Sequence, residues 1–147
     1  MVSAQAQQQE QQWAAWMRAA QAGDARAYEQ LLRAIAPFLR SLARRYCRDP
    51  DRREDVVQEV LLTVHRVRHT WDPGRPFSPW LAAIAARRAI ALKPREAQYR
   101  INLARLLIAL HRDDDAREEI AELRRLGGLG QNDAAANALE KRMARER

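Results

Sequence analysis

The sequence predicts an all-α protein: a bundle of four helices followed by a helical hairpin and a capping helix. Three observations carry that prediction. Gly and Pro number only 5 and 6 among 147 residues, while Ala, Leu, Arg, Glu and Gln are abundant, a balance that favours helix. Apolar residues recur at spacings of three and four through successive stretches of the chain. The β-branched residues cluster only at 56–67, where their period is helical rather than alternating. Apolar residues make up 47% of the chain, enough for one domain, or one small domain with an appendage.

Residues 1–8 are polar and Gln-rich and read as a frayed start. A first helix is expected from about Gln9 to Ala22, with Trp13, Trp16 and Met17 on one side. Aromatics at that spacing read as core, with base stacking the alternative. Gly23 terminates this helix and Asp24 caps the next. The second helix, about Ala25 to Cys47, carries Tyr28, Leu31, Leu32, Ile35, Phe38, Leu39, Leu42 and Tyr46 in register. Pro37 interrupts it, at a cost of about 3 kcal/mol unless a kink accommodates the ring, so a bend near Arg33–Ala34 is expected. Arg40, Arg44, Arg45 and Arg48 line its exposed side, to meet phosphate or simply to solvate a face. Cys47 is the single cysteine; it excludes an internal disulfide and reads as a small buried residue.

Asp49-Pro50 restarts the chain for a third helix, about Asp51 to His69. Val56, Val57, Val60, Leu61, Val64 and Val67 share one face of it, and Asp55, Gln58, Glu59 and Leu62 fall on another. A loop at 70–77 contains Pro, Gly and Arg. In the fourth helix, about Ser78 to Leu92, Ser78 reads as the N-cap and Pro79 as the first-turn proline. Trp80, Leu81, Ile84 and Ala85 form its buried stripe, and Arg87 and Arg88 sit past it. Lys93-Pro94 ends the helix, because the residue before proline avoids the α region. This divides the chain into domains at 9–92 and 93–147.

Beyond Pro94, a helix from about Arg95 to His111 carries Ile101, Leu103, Ala104, Leu107 and Leu110. The segment RDDD reads as a turn leading into Ala116, Ile120, Leu123 and Leu126. GGLG at 127–130 is a loop, with no preceding strand to make it a dinucleotide fingerprint. A last helix, about Asn132 to Ala144, turns Ala135, Leu139 and Met143 inward.

Net charge is +7, which suits a polyanionic partner such as nucleic acid or an anionic membrane surface. Most of it lies in residues 1–90, at +5 against +2 for 91–147. No run of 18 apolar residues marks a membrane span, and the Gln-rich start is no signal peptide, so a cytoplasmic protein without a membrane partner is expected. No residue set supports catalysis. His65, His69 and His111 lack the companions of a metal site, and the His65/His69 pair has no Glu at the inner position. Neither enzyme activity, cofactor nor metal is expected.

Three blocks carry a resemblance: D-V-V-Q-E-V at 55–60, W-D-P-G-R-P-F-S-P-W-L at 71–81 and I-A-A-R-R-A-I at 84–90. In order and spacing the chain from about Trp13 to Ile90 resembles region 2 of the sigma-70 family, in its extracytoplasmic-function (ECF) group. The resemblance implies that Asp55, Gln58 and Glu59, with Leu62 as an apolar neighbour, dock on the clamp helices of the β′ subunit of core RNA polymerase. It implies that the loop Trp71–Phe77 captures an unstacked base of the promoter −10 element. Arg75 would meet backbone phosphate, and Phe77 or Trp71 would support stacking, with a core role the alternative for both rings. Arg87 and Arg88 would complete the DNA-binding set. The family usually reads I-A-R-N-x-A-x-D along the fourth helix; Ala86, Arg87 and Ala91 stand here at the Arg, Asn and Asp positions. Asn reads a base edge bidentately, whereas Arg favours guanine or phosphate.

Residues 95–147 do not resemble region 4, the family's −35-binding module. Ala104, Leu107, Ala116 and Ile120, after the junction A-L-K-P, resemble a tetratricopeptide helical pair. A lone repeat must dock on other helices, on a second copy or on a partner. The expectation is a sigma-like initiation factor that lacks region 4. Its partners would be core RNA polymerase, single-stranded −10 promoter DNA, and an anti-sigma factor or a separate region 4 chain. The alternative is a non-transcribing interaction module on a relic region 2 fold, whose tail binds a regulator or itself.

Overall fold

The computed structural model describes residues 3–47 and 49–146, and every regular element among them is helical. The chain divides into two compact units, Met1–Ala85 and Ala86–Arg147. The division falls inside a helix, ahead of the composition break at Lys93-Pro94.

The first unit holds α1 (Ala4–Gln21), α2 (Ala25–Tyr46), α3 (Pro50–Val67), a 3-10 turn (Arg68–Thr70) and the start of α4 (Phe77–Leu92). Helix α1 packs on α2, and α2 on α3. Local caps set most of the starts. The Ser3 hydroxyl accepts from Ala6 N at 3.1 Å, so α1 begins within the stretch expected to fray. Gly23, at φ 103°, makes the left-handed step that ends α1. Asp24 then accepts from Ala27 N at 3.0 Å to open α2. Asp49 accepts from Asp51 N at 3.0 Å, with Pro50 in the first helical turn of α3, where its missing N–H costs nothing. Helix α2 continues through Pro37, which is exposed.

The core of this unit is drawn from the expected stripes, with Trp13, Met17, Leu31, Ile35, Leu39, Val57, Val60, Val64 and Leu81 all buried, and it takes in Phe77 as well. Phe77 sits at its aromatic centre, with ring centroids 6.3 Å from Trp13, 5.7 Å from Trp71 and 5.6 Å from Trp80. Trp13 in turn meets the edge of Phe38 at 5.3 Å. Cys47 departs from expectation. It is half-buried because α2 has ended there, and its carbonyl accepts from Arg53 Nε at 2.6 Å. Arg48 lies outside the described residues, as does the side chain of Tyr46.

A second correction concerns α4. It begins at Phe77 rather than Ser78, and Ser78 is not its cap. The residue before Phe77 is Pro76, which has no side-chain acceptor. The acceptor comes instead from α1, where the Glu10 carboxylate takes hydrogen bonds from Phe77 N, from Ser78 N at 3.0 Å and from the Ser78 hydroxyl.

The second unit contains the end of α4 with α5 (Ala97–Ala109), α6 (Asp113–Leu126) and α7 (Asp133–Arg145). Helices α5 and α6 form a hairpin, and α7 packs against both. Leu103, Ala104, Leu107, Ile108, Ala116, Ile120, Leu123, Ala136, Leu139 and Met143 make its core. RDDD is not a turn. His111, at φ 57°, carries the reversal, and Asp113, Asp114 and Asp115 form the first turn of α6, where carboxylates complement the helix dipole. Ala136, not Ala135, is the inward alanine of α7, since i, i+3, i+7 runs 136, 139, 143. Gly127 is required by close approach, because a Cβ there would stand 2.7 Å from Asn132 N. Asn132 closes the same turn by donating to Leu123 O at 2.8 Å.

Truncating Phe77 to Ala removes the ring shared by three neighbours and leaves a cavity. The expected cost to the first unit is about 3–5 kcal/mol, with Phe77→Leu losing less. All four tryptophans lie in that unit, so urea unfolding followed by tryptophan fluorescence reads the change without interference from the second.

Candidate functional site

Helix α3 separates two chemistries by its period. Val56, Val57, Val60 and Val64 are buried, and Asp55, Gln58, Glu59 and Leu62, at i, i+3, i+4 and i+7, are exposed on another face. Leu62 is 58% exposed, an apolar side chain standing in water among acids and an amide. Neither the Asp55 nor the Glu59 carboxylate joins an ion pair among the described residues. Glu54, one position earlier, is committed. Both its oxygens accept from Arg40 on α2, at 3.2 and 3.3 Å, and Gln58 Nε2 donates to it at 3.5 Å. The hydrogen bond from Arg40, and less so its charge, hold the Glu54 carboxyl below its ordinary value. Further along, Tyr28 on α2 shares a 2.9 Å hydrogen bond with His65 Nδ1 on α3. Burial raises the Tyr28 phenol, against the Arg68 guanidinium, which lowers it.

The loop between α3 and α4 is built as tightly as the helices that flank it. The Asp72 carboxylate accepts from Gly74 N at 2.9 Å, and Asp72 O accepts from Arg75 N at 2.9 Å, closing an Asx turn and a backbone turn together. Arg75 keeps its side chain 40% exposed, 3.8 Å from the Asp72 carboxylate. Trp71 and Phe77, expected as stacking platforms, are 2% and 0% exposed, with their rings in edge contact with each other. The structure therefore places both in the core, and a base stacked on either ring would require that ring to leave it.

Helix α1 holds this loop at three places, which sequence reasoning missed. Glu10 caps α4. Arg18 donates to Pro73 O at 3.2 Å, and its guanidinium lies over the Trp71 ring at 5.8 Å. Gln21 Nε2 donates to the carbonyls of Arg68 and Trp71, both at 3.0 Å. A lone Glu in a Gln-rich run was the only signal in the sequence, and nothing local says what it faces.

Trp71, Arg75 and Phe77 are thus brought together in one loop, whereas Arg87 and Arg88 belong to the second compact unit. Arg87 is exposed as a residue, yet packed neighbours crowd its guanidinium: that desolvation first, then the Arg112 guanidinium, lower its pKa, while Asp115 and Glu119 raise it. Arg88 is half-buried, and its Nε has no hydrogen-bond partner among the described residues. No helix among the described residues is long and apolar enough to cross a membrane.

Residues 31–97 match the family model of Sigma-70 region 2. That stretch takes in most of α2, with α3, the loop and α4, and leaves α1 outside it. The chain is similar to the ECF RNA polymerase sigma factor SigF of Caulobacter vibrioides, at 42% identity over 64 residues, 43% of this chain and 36% of that protein. It is similar to the RNA polymerase sigma factor CarQ of Myxococcus xanthus, at 38% identity over 63 residues, again 43% of this chain and 36% of the relative. The chain thus spans about a third of the length of the curated relatives it matches. No solved structure matches it.

The Arg40–Glu54 pair makes a pH prediction. The folded pKa of Glu54 is depressed, so its contribution to stability is present above the unfolded pKa and lost as pH falls through the folded one. Both partners are well exposed, so that contribution is small. In an NMR titration the Glu54 carboxyl should titrate below the ordinary carboxyl value of 4.5, and Arg40→Ala should move the midpoint back up. An unmoved midpoint would show that Arg40 does not hold Glu54.

Proposed function

Because the chain carries a sigma-70 region 2 of the ECF kind, we propose that it is a sigma-like initiation factor. It docks on the β′ clamp helices of core RNA polymerase and engages the single-stranded −10 element of promoter DNA in the cytoplasm. It acts by binding, not by catalysis. The observation that carries this reading is Leu62, 58% exposed on the same helix face as Asp55, Gln58 and Glu59. An exposed leucine rimmed by two carboxylates and an amide makes a polar-edged patch that a partner helix covers.

The DNA reading rests on the loop. Extruding a base costs a few kcal/mol, and an aromatic stack, worth about 1–3 kcal/mol per base, is not on offer while Trp71 and Phe77 stay buried. Arg75, with Arg18 and Arg68 exposed beside the loop, supplies phosphate contacts instead. The isolated chain therefore binds strands weakly, and polymerase supplies the placement. Residues 95–147 carry no resemblance to the −35-binding module. The helical tail offers a surface for an anti-sigma factor or a separate region 4 chain.

A second reading, a non-transcribing interaction module, is favoured by one observation. Residues 86–147 have their own compact core, with Ala104, Leu107, Ala116 and Ile120 all at 1% exposure or less, the small–large pattern of a tetratricopeptide pair. Promoter-dependent transcription by purified core polymerase, with and without this chain, separates the two.

Asp55→Ala/Glu59→Ala and Leu62→Ala should each lower recovery of core polymerase in a pull-down while shifting folding stability by no more than about 0.5 kcal/mol, as exposed positions do. Recovery equal to wild type in both would remove the docking face. Strand binding should fall with salt at a log–log slope of about −2 to −3 for three or four phosphate contacts, and Arg75→Ala should reduce its magnitude by about 0.7. A flat response would favour the interaction module.

A further inference from the structure

The geometry points to Glu10, on α1, as a positioning residue for the strand-engaging loop. This rests on the proposed DNA reading and adds to it a group outside the matched region, residues 31–97. Three facts on the molecule carry it. Helix α4 starts directly after Pro76, whose side chain offers no acceptor, so the N–H groups of Phe77 and Ser78 have no local cap. Glu10 supplies the acceptor from across the core, binding both N–H groups and the Ser78 hydroxyl. An anionic carboxylate at the positive end of a helix adds charge to the hydrogen bonds.

The same helix grips the other parts of the loop. Gln21 fixes the carbonyls of Arg68 and Trp71 at the loop's entry, and Arg18 fixes that of Pro73 at its apex. Glu10 fixes its exit. The charged members of the loop, Asp72 and Arg75, are thereby held between anchors that all come from α1. Glu10 touches no DNA in this arrangement; it acts through the placement of Arg75 and its neighbours.

The test uses the full chain. Amide exchange at Phe77 and Ser78 reads the cap directly. Fluorescein-labelled single-stranded homopolymers of each of the four bases, offered to the chain bound to core polymerase, read strand affinity and base discrimination. Polymerase recovery reads the α3 face. Glu10→Ala should speed exchange at the two amides by on the order of tenfold, the equivalent of one lost cap. It should lower strand affinity severalfold, compress the spread among the four bases, and leave polymerase recovery unchanged. Glu10→Ala/Pro76→Ser places a hydroxyl acceptor in the local N-cap position, within reach of the Ser78 N–H, and should restore exchange protection at Ser78 together with strand affinity and discrimination. Gln21→Ala, at an exposed residue, repeats the test at the loop's entry should Glu10→Ala fail to fold, with lower discrimination expected.

Unchanged exchange in Glu10→Ala overturns the proposal, as does raised exchange with affinity and discrimination unchanged, or undiminished discrimination in Gln21→Ala. A wild-type chain that binds no strand on polymerase overturns the proposed DNA reading and the positioning role with it. Wild-type binding that the variants do not alter overturns the positioning role alone.

Discussion

A helix that starts inside a core brings unpaired N–H groups with it, and at Phe77 those groups are answered by a side chain 67 residues earlier in the chain. A buried donor left without an acceptor costs about 1–3 kcal/mol, and Pro76 removes the usual local remedy. With Glu10 in place, the ring of Phe77 can be fully buried at the junction of Trp13, Trp71 and Trp80. The cap and the aromatic cluster therefore enforce each other. The cap fixes where α4 begins, the start of α4 fixes the ring, and the ring fixes Trp71 at the other end of the loop. Helix α1 is thus part of the architecture of the loop, although the two are far apart in sequence.

The helices themselves were legible because each carries an amphipathic stripe long enough to set a 3.6-residue period. Starts were legible where the cap is local: Asp24 and Asp49 accept from amides three and two residues on, respectively. The start of α4 was misread by one residue because its cap is remote, and a serine beside a proline looks locally sufficient. RDDD was misread because three adjacent aspartates suit a turn and a first helical turn equally. The backbone at His111, with its positive φ, decided between them. Ala135 and Ala136 are indistinguishable by composition, and only the register of α7 chooses. The polar face of α3 was legible since the valine stripe fixes its complement. The placement of Trp71 and Phe77 was not, because an aromatic next to a Pro-Gly-Arg turn is equally good chemistry for a core or for a base. Their burial follows from α1, which local reasoning about the loop leaves out.

The two candidate surfaces differ in how their charges are used. On α3, Glu54 spends its carboxylate within the fold, on Arg40 and Gln58. Asp55 and Glu59, at i+1 and i+5 from it, point off that line and keep theirs for solvent. The helix thus sorts Glu54, Asp55 and Glu59 into one intramolecular tie and two groups whose potential faces outward. In projection Leu62 falls between Gln58 and Asp55, with Glu59 beyond, so the two acids and the amide edge an apolar centre. In the proposed docking that pattern would exclude water and set orientation through charge.

The loop works under a different constraint. On the proposed reading, with its rings buried, it would engage a strand through guanidinium groups and backbone, contacts that individually carry little sequence information. What such contacts lack in specificity, a fixed geometry can supply, because a phosphate held at one place presents its base at one place. Association also loses less free energy when the binding segment is already ordered. The Asx turn at Asp72, the two carbonyls fixed by Gln21 and the capped start of α4 all remove freedom from the segment before any strand arrives. A loose loop with the same arginines would bind by charge alone and read nothing. On the proposed reading, a loop anchored from α1 would convert the same charge into a choice among bases, and that conversion is where the helix lying outside the matched region would bear on recognition.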